Sequence, residues 1–167
     1  THYFAPSELH IQVSNHALNN CFRVQWPMPE PRPLVSIIIP TRDGYELLKQ
    51  CIDSIYKFTD YSNFELLVMN NQSQCQKTLS YFKTLRNHNQ ARIIDFDDEF
   101  NFSAINNAGV AEARGSIIAL LNNDIEIINE GWLDEMVRQV SRPDIGCVGA
   151  KLYYPDGRIQ HGGVILG

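Results

Sequence analysis

The sequence lacks several features that mark common functional classes. It contains no G-x-G-x-x-G or G-x-x-x-x-G-K run, which argues against a dinucleotide-binding dehydrogenase and a P-loop nucleotidase. None of its four cysteines lies in a C-x-x-C pair, so a zinc site is not expected. No apolar run approaches the roughly 20 residues of a membrane-spanning helix, and no N-terminal stretch resembles a secretory signal. We therefore expect a cytoplasmic protein.

A dense basic surface is also missing. The chain carries 14 Lys and Arg against 19 Asp and Glu, for a formal net charge of -5, and this balance disfavours nucleic acid as a partner. With 44% hydrophobic residues in 167 positions, the composition is that of a globular domain with a real core. Cys51 and Cys147 fall inside apolar segments and are predicted to be buried free thiols.

Four prolines alternate with other residues between Trp26 and Pro33. Such a segment cannot join a helix or a central strand, so it is predicted to be an extended linker. We accordingly predict an N-terminal extension with its linker over residues 1–33 and a main domain over residues 34–167. The sequence shows no internal repeat and no low-complexity tract.

Apolar strand-like runs then alternate with helical patterns. Strands are predicted over 34–39, 64–69, 91–95 and 116–121, and helices over 43–56, 74–86 and 101–114. Pro40 is expected to end the first strand. Asp43 and Asn101 are expected to cap helices, Phe102 to face inward, and Gly115 to end the third helix. This order predicts an α/β fold with a parallel or mostly parallel sheet, followed by a helix near 130–141 and a hairpin of 145–154 with 158–166.

Polar residues follow every predicted strand, over residues 40–43, 70–73, 95–99 and 122–126. Ligands of open α/β sheets bind outside the carboxyl ends of the strands, so these segments form the candidate site. Asp124 follows an apolar strand and can supply a carboxylate to Mg²⁺ or Mn²⁺. Glu126 can supply a second oxygen or orient a metal-bound water.

Each of these features also has a structural interpretation. Asn123 and Asp124 are common turn residues, and Asp43 can simply begin a helix. The acidic residues 97–99 are typical of a solvated loop. His161 is either a structural side chain in a strand or a group that faces donor or acceptor. The residue types alone leave these alternatives open.

In order and spacing, these segments resemble glycosyltransferase family 2. The resemblance rests on VSIIIPTRD (35–43), FELLVMNNQS (64–73), NFSAINNA (101–108), ARG (113–115) and LLNNDIE (120–126). Residues 131–133 and 148–161 are similar to a subgroup of bacterial enzymes that build O-antigen and other surface polysaccharides. The single motifs are weak, but together they cover about residues 34–167.

The resemblance implies a GT-A fold, a nucleotide-diphosphate-sugar donor, and Mn²⁺ or Mg²⁺ at a D-x-D-like motif. The donor-binding residues that it implies are Pro40, Thr41, Arg42, Asp43, Asn70, Asn106, Asn123 and Asp124. Asp124 would ligate the metal directly, with Glu126 as a second candidate. Asn70 replaces an Asp that usually binds the base, and Asn123 replaces the first acid beside the metal. Base preference and metal affinity are therefore expected to differ from those of relatives.

The same resemblance implies an inverting enzyme that transfers sugar to a saccharide or lipid-linked glycan in bacterial surface polysaccharide synthesis. At most it would associate peripherally with the inner face of the cytoplasmic membrane. The general base is expected beyond Gly167, so the chain is expected to lack the acceptor half and to transfer little or no sugar alone. The alternatives are a nucleotidyltransferase, which would require a basic glycine-rich loop after strand one, and a catalytically inactive glycosyltransferase-like scaffold or binding domain.

Overall fold

The computed structural model describes residues 11–15 and 20–163. The strands are β1 (Gln12–Asn15), β2 (Phe22–Gln25), β3 (Val35–Thr41), β4 (Phe64–Asn70), β5 (Arg92–Asp95), β6 (Ile117–Leu120), β7 (Leu152–Tyr153) and β8 (Ile159–His161). The helices are α1 (Tyr45–Phe58), α2 (Gln76–Asn87), α3 (Phe102–Glu112) and α4 (Trp132–Val140). Glu30–Gly131 forms one compact unit, and the described residues within Thr1–Pro29 and Trp132–Gly167 form another.

The larger unit is built on a parallel sheet of four strands in the order β5-β4-β3-β6. Its two central strands are apolar along most of their length, and the side chains from Val35 to Ile39 are all buried. Helices pack on this sheet through apolar side chains such as Leu48, Phe82 and Ile105. Strands that are buried on both faces are continuous hydrophobic runs in the sequence. The parallel α/β architecture that was predicted from such runs is confirmed.

Pro40 does not end the first strand, contrary to the expectation from the sequence, because β3 continues to Thr41. The carbonyl of Ile38 accepts from Leu121 N at 3.0 Å, whereas the carbonyl of Thr41 accepts from Asn71 N at 2.9 Å. Since backbone groups alternate in direction along a strand, position 40 faces the β6 side of β3. Strand β6 ends at Leu120, so the N–H that proline lacks would have had no strand partner there.

Two helix boundaries also differ from expectation. Asp43 is not the cap of α1; Gly44 is, with a φ of 65°, and no side chain caps this helix. Gly115 does not end α3, which stops at Glu112 with Ala113 as its cap. The predicted cap at Asn101 is confirmed, because its Oδ1 accepts from Ala104 N at 3.0 Å. Phe102 was expected to face inward but is 51% exposed, since it begins α3 at the sheet margin.

A polar network joins the amino ends of the strands. Ser36 Oγ donates to Glu65 Oε1 at 2.7 Å and accepts from Gly115 N at 2.8 Å. Glu65 also accepts from Arg114 N at 2.7 Å and from Arg92 Nη1 at 3.2 Å. Burial alone would raise the pKa of Glu65, but these hydrogen bonds outweigh it and lower the pKa. The network fixes the segment that enters β6 against β3 and β4.

The smaller unit contains two antiparallel strand pairs, β1 with β2 and β7 with β8. Arg138 Nη1 donates to the Trp26 carbonyl at 2.6 Å, and the Arg142 guanidinium lies 4.2 Å from the centre of the Trp26 ring. The strand predicted over 145–154 is reduced to Leu152–Tyr153, and Cys147 is exposed rather than buried. Both differences share a feature: Ile145 and Val148 are only partly buried, so this apolar segment does not enter a core among the described residues. No helix in the described part of the chain could cross a membrane.

Candidate functional site

The carboxyl ends of the parallel strands place polar side chains next to one another. Thr41 pairs with Asn70 in the β3–β4 register, and Asn70 pairs with Asp95 in the β4–β5 register. Neighbouring strands lie about 4.8 Å apart, so the side chains stand side by side. Asn123, in the loop after β6, extends the series by donating from Nδ2 to Thr41 Oγ1 at 3.0 Å. We call Asn123, Thr41, Asn70 and Asp95 the strand-end row.

Hydrogen bonds fix the amide of Asn70 in the middle of the row. Its Oδ1 accepts from Ser73 N at 3.0 Å, and its Nδ2 donates to Asp95 Oδ1 at 2.8 Å. Thr41 and Asn70 are buried, whereas Asp95 is exposed. The row therefore has a buried, hydrogen-bonded centre and a solvent-facing carboxylate at its β5 end.

Asp43 joins two loops above the sheet edge. Its Oδ1 accepts from Gln74 N at 2.8 Å and from Cys75 N at 2.7 Å, just before α2. Its own N–H donates to Ser73 Oγ at 2.8 Å. Asp43 has a φ of 55°, in the left-handed region that Asp and Asn tolerate better than most residues. This carboxylate, predicted to be among the donor-binding residues, therefore shapes the β4–α2 loop beside the row.

Asn71 has an importance that the sequence did not reveal. It is almost fully buried, and its Nδ2 donates to the carbonyls of Phe96 and Asp98 at 3.2 and 3.0 Å. Its Oδ1 is buried without a hydrogen-bond partner among the described residues. The acidic side chains at 97–99 are exposed, which agrees with a solvated loop. Asn71 holds that loop against the end of β4.

The loop after β6 leaves Asp124 exposed and is anchored to α1 on either side of it. Cys51 Sγ contacts the Asn122 carbonyl at 3.7 Å, and Glu126 Oε2 accepts from Gln50 Nε2 at 2.7 Å. Burial raises the pKa of the Cys51 thiol to about 12, with a further contribution from the negative charge of Asp124. An exposed carboxylate thus stands on a loop whose flanks are held by α1.

The chemistry of this loop fits a hard divalent cation bound together with phosphate. Asp124 offers carboxylate oxygens, and Asn123, whose Nδ2 is engaged by Thr41, retains an amide oxygen. In the described part of the chain, no group of three or more His, Cys, Asp and Glu side chains could hold a metal by itself. Mg²⁺-type ions commonly use one or two carboxylates and complete their shell with waters and substrate phosphates.

The remaining predicted residues are scattered around this edge. Pro40 lies within β3, and Arg42 is exposed in the loop that follows. Asn106 is buried in α3, where its Nδ2 donates to the Phe102 carbonyl at 2.8 Å and its Oδ1 is unpartnered. No hydrogen bond between described residues links Arg42 or Asn106 to the strand-end row. His161 is exposed in β8, in the smaller unit.

Comparison with known proteins gives a consistent result along most of the chain. Residues 36–163 match the family model described as glycosyl transferase family 2. The chain is 52% identical over 147 residues to the uncharacterized protein y4gI of Sinorhizobium fredii (strain NBRC 101917 / NGR234). It is 40% identical over 148 residues to the O-antigen biosynthesis protein RfbC of Myxococcus xanthus. Each alignment covers 87% of this chain but only 16% and 11% of the respective relative.

Solved structures of glycosyltransferases share the fold. The mannosyltransferase PcManGT from Pyrobaculum calidifontis, in complex with GDP-Man and Mn²⁺, superposes with a TM-score of 0.63 at 22% identity, over 72% of this chain and 36% of that one. GalNAc-T7 with UDP, GalNAc and Mn²⁺ superposes with a TM-score of 0.60 at 18% identity, over 71% and 23%. At such identities the similarity establishes the GT-A fold alone.

Proposed function

Because the chain belongs to glycosyl transferase family 2, we propose that its strand-end row and the Asp124 loop bind a nucleotide-diphosphate sugar together with Mn²⁺ or Mg²⁺. The observation that carries the proposal is the in-register row of polar side chains at the carboxyl edge of a parallel sheet, where α/β folds bind ligands. The superposed structures that contain GDP-Man or UDP with Mn²⁺ support it.

The order of the row suggests how the donor lies. Asp95 and Asn70 stand at the β5 and β4 ends, while Asn123 adjoins the exposed carboxylate of Asp124 at the β6 end. We place the nucleoside over the ends of β3 to β5 and the diphosphate beside Asp124. The other donor-binding residues in this proposal are Pro40, Thr41, Arg42, Asp43 and Asn106, with Asp43 acting through the loop that it holds.

Asp124 is the proposed protein ligand of the divalent ion. Its carboxylate is exposed in the loop after β6, whereas that of Glu126 is engaged by Gln50 and is better suited to support the loop. When bound, the ion would supply positive charge against the departing diphosphate. Asp124 would bind the ion through its carboxylate. Asn123, fixed by its hydrogen bond to Thr41, would position its own amide oxygen beside that carboxylate.

The proposed reaction is direct displacement with inversion at the anomeric carbon. An acceptor hydroxyl forms the new C–O bond while the bond to the diphosphate breaks, and a general base accepts the hydroxyl proton. No described residue is assigned to that base. We propose a saccharide or lipid-linked glycan as the acceptor, since one relative is named an O-antigen biosynthesis protein. The chain spans about a sixth and a ninth of the two curated relatives, so the activity of the whole protein is part of this proposal.

Calorimetric titration with UDP and GDP, in MnCl₂ and in EDTA, tests the donor site. We expect Mn²⁺-dependent binding of at least one nucleotide. Asp124→Asn should weaken that binding about 10- to 100-fold, as expected for loss of a charged ligand, and leave any binding in EDTA unchanged. Asp60→Asn, which alters an exposed carboxylate at the far end of α1, is the matched control and should behave as the parent chain.

The same titrations decide between this proposal and an inactive glycosyltransferase-like scaffold. The scaffold is favoured by one observation: Asn70, which replaces a carboxylate, uses both ends of its amide within the protein. If the titrations are extended to dTDP, CDP and ADP, absence of Mn²⁺-dependent heat with every nucleotide would reject the donor site and leave the scaffold. An Asp124→Asn variant that binds like the parent chain would reject Asp124 as the metal ligand.

A further inference from the structure

We propose that Asp95, oriented by Asn70, is the residue that selects the donor base, and that it selects bases with a ring N–H. This inference rests on the proposed donor site and adds to it the chemical class of the base. It assigns a specific role to one member of the strand-end row. The described contacts around the end of β4 carry it, as follows.

The Asn70 amide has only one orientation that satisfies its neighbours. The backbone N–H of Ser73 points at the amide oxygen, at 3.0 Å. The amide nitrogen must then face Asp95, where it donates to Oδ1 at 2.8 Å. Because an N–H can bond a carboxylate oxygen but not another N–H, this arrangement holds the Asp95 carboxylate in one direction.

A carboxylate at position 70 would be unfavourable in this surrounding. Two carboxylates at hydrogen-bond distance cannot both ionise without strong repulsion. With Asn at 70, the pair Asn70–Asp95 carries one negative charge, and that charge lies on the exposed side chain of β5. The pair therefore presents a charged acceptor to solvent at the β5 end of the row.

Asp95 presents a carboxylate at the β5 end of the row. Asp43 Oδ1 is occupied by two backbone N–H groups, and Asp124 lies beyond the opposite end of the row, after β6. The hydrogen bond from Asn70 uses Oδ1 of Asp95. Among the described residues, no group donates a hydrogen bond to Asp95 Oδ2. An oxygen is therefore free to accept a hydrogen bond from a ligand over the ends of β4 and β5.

This acceptor discriminates among nucleoside diphosphates. Uracil, thymine and guanine present a ring N–H, which a carboxylate accepts in a short, charge-assisted bond. Cytosine and adenine present a ring nitrogen lone pair at the corresponding edge position, which a carboxylate repels. We therefore infer a uridine, thymidine or guanosine diphosphate donor.

The experiment is a calorimetric comparison of UDP, dTDP, GDP, CDP and ADP, each with MnCl₂. The parent chain should bind one of the first three at least 10-fold more tightly than CDP and ADP. Asp95→Asn places an N–H against the ring N–H, and should reduce that preference about 10- to 100-fold. Asp97→Asn, another exposed carboxylate two residues away, should keep it.

A second experiment exchanges the carboxylate and the amide of the pair. The double variant Asn70→Asp with Asp95→Asn keeps one carboxylate and one amide in the pair and should regain the preference. An Asp95→Asn variant with unchanged preference and intact Mn²⁺-dependent binding would overturn the inference and leave the donor site standing. A double variant that folds but has no more preference among the bases than Asp95→Asn would also overturn the inference. If none of the five nucleotides binds the parent chain, the donor site and this inference both fail.

Discussion

At the scale of single residues, several polar side chains of the candidate site form hydrogen bonds that hold its loops in place. Asp43 binds two backbone N–H groups of the β4–α2 loop, and Asn71 binds two carbonyls of the β5–α3 loop. Such bonds preorganise the polar groups of a site, because a group fixed before binding loses less freedom on binding. Substitution of Asp43 would therefore disturb the proposed donor site without removing a direct contact.

The thiols provide a residue-scale prediction. Backbone N–H groups of Thr78 and Lys77 lower the pKa of Cys75 below its ordinary value of 9.0, while burial and Asp124 raise the pKa of Cys51 to about 12. The thiolate is the nucleophile, so Cys75 should be labelled by a disulfide reagent at neutral pH, at a rate that falls as the pH is lowered. Cys51 should be labelled only on unfolding.

Mass spectrometry of the labelled peptides measures the rate at each thiol. Cys75→Ser, which removes the thiol and keeps a small polar side chain, is the control and should abolish only the signal of that peptide. If native Cys51 were labelled as quickly as Cys75, the packing of α1 against the loop after β6 would be wrong.

At the scale of elements, apolar runs determine the strands, but contacts with distant parts of the chain determine where elements end. The four parallel strands and the helices between them could be predicted, because buried strands and amphipathic helices leave periodic patterns. The end of α3 and the role of Gly115 could not be predicted. Gly115 follows the helix by three positions, and a Cβ there would lie 2.5 Å from the Leu34 carbonyl oxygen and 2.7 Å from Ser36 N.

Gly115→Ala should therefore destabilise the larger unit. The added methyl meets backbone atoms that cannot rotate away, so β6 must shift from β3, and overpacking of this kind costs about 1–3 kcal/mol. Gly146→Ala is the matched control, since nothing lies within 4 Å of its Cβ position. Urea unfolding of both variants measures the difference. Equal free energies of unfolding for Gly115→Ala and the parent chain would contradict the close approach.

At the scale of the whole molecule, the sequence could single out the candidate site but not the pairing of side chains within it. Ligand binding at the carboxyl ends of parallel strands is a property of the fold, so four polar loops could be singled out together. The contact between Asn70 and Asp95 depends on the register of β4 with β5. The pairing of Asn123 with Thr41 depends on the path of a loop. Neither register nor path is encoded in the local pattern of residue types.

Donor binding should stabilise Glu30–Gly131 as a whole. A ligand that binds only the folded state adds RT ln(1 + [L]/Kd), about 2.7 kcal/mol at 100 times the Kd. For a unit of this size that corresponds to a rise in Tm on the order of 10 °C. Thermal unfolding with the binding nucleotide and MnCl₂, against the nucleotide with EDTA, measures it. Asp124→Asn should show a smaller Mn²⁺-dependent rise at the same nucleotide concentration; an equal rise in this variant would contradict a metal site at Asp124.

Pro40 has a consequence for the loop on which metal binding is proposed to depend. An extended β6 would next need the Leu121 carbonyl to accept a hydrogen bond from position 40, and proline has no N–H to give. The Leu121 carbonyl therefore gains no partner from β3, which removes one ladder bond that would favour further growth of β6. A residue more than eighty positions earlier in the chain thus favours the start of the Asp124 loop at this point. Replacing Pro40 by valine would restore the backbone N–H at position 40. Extension of β6 would then compete with formation of the loop for the same residues.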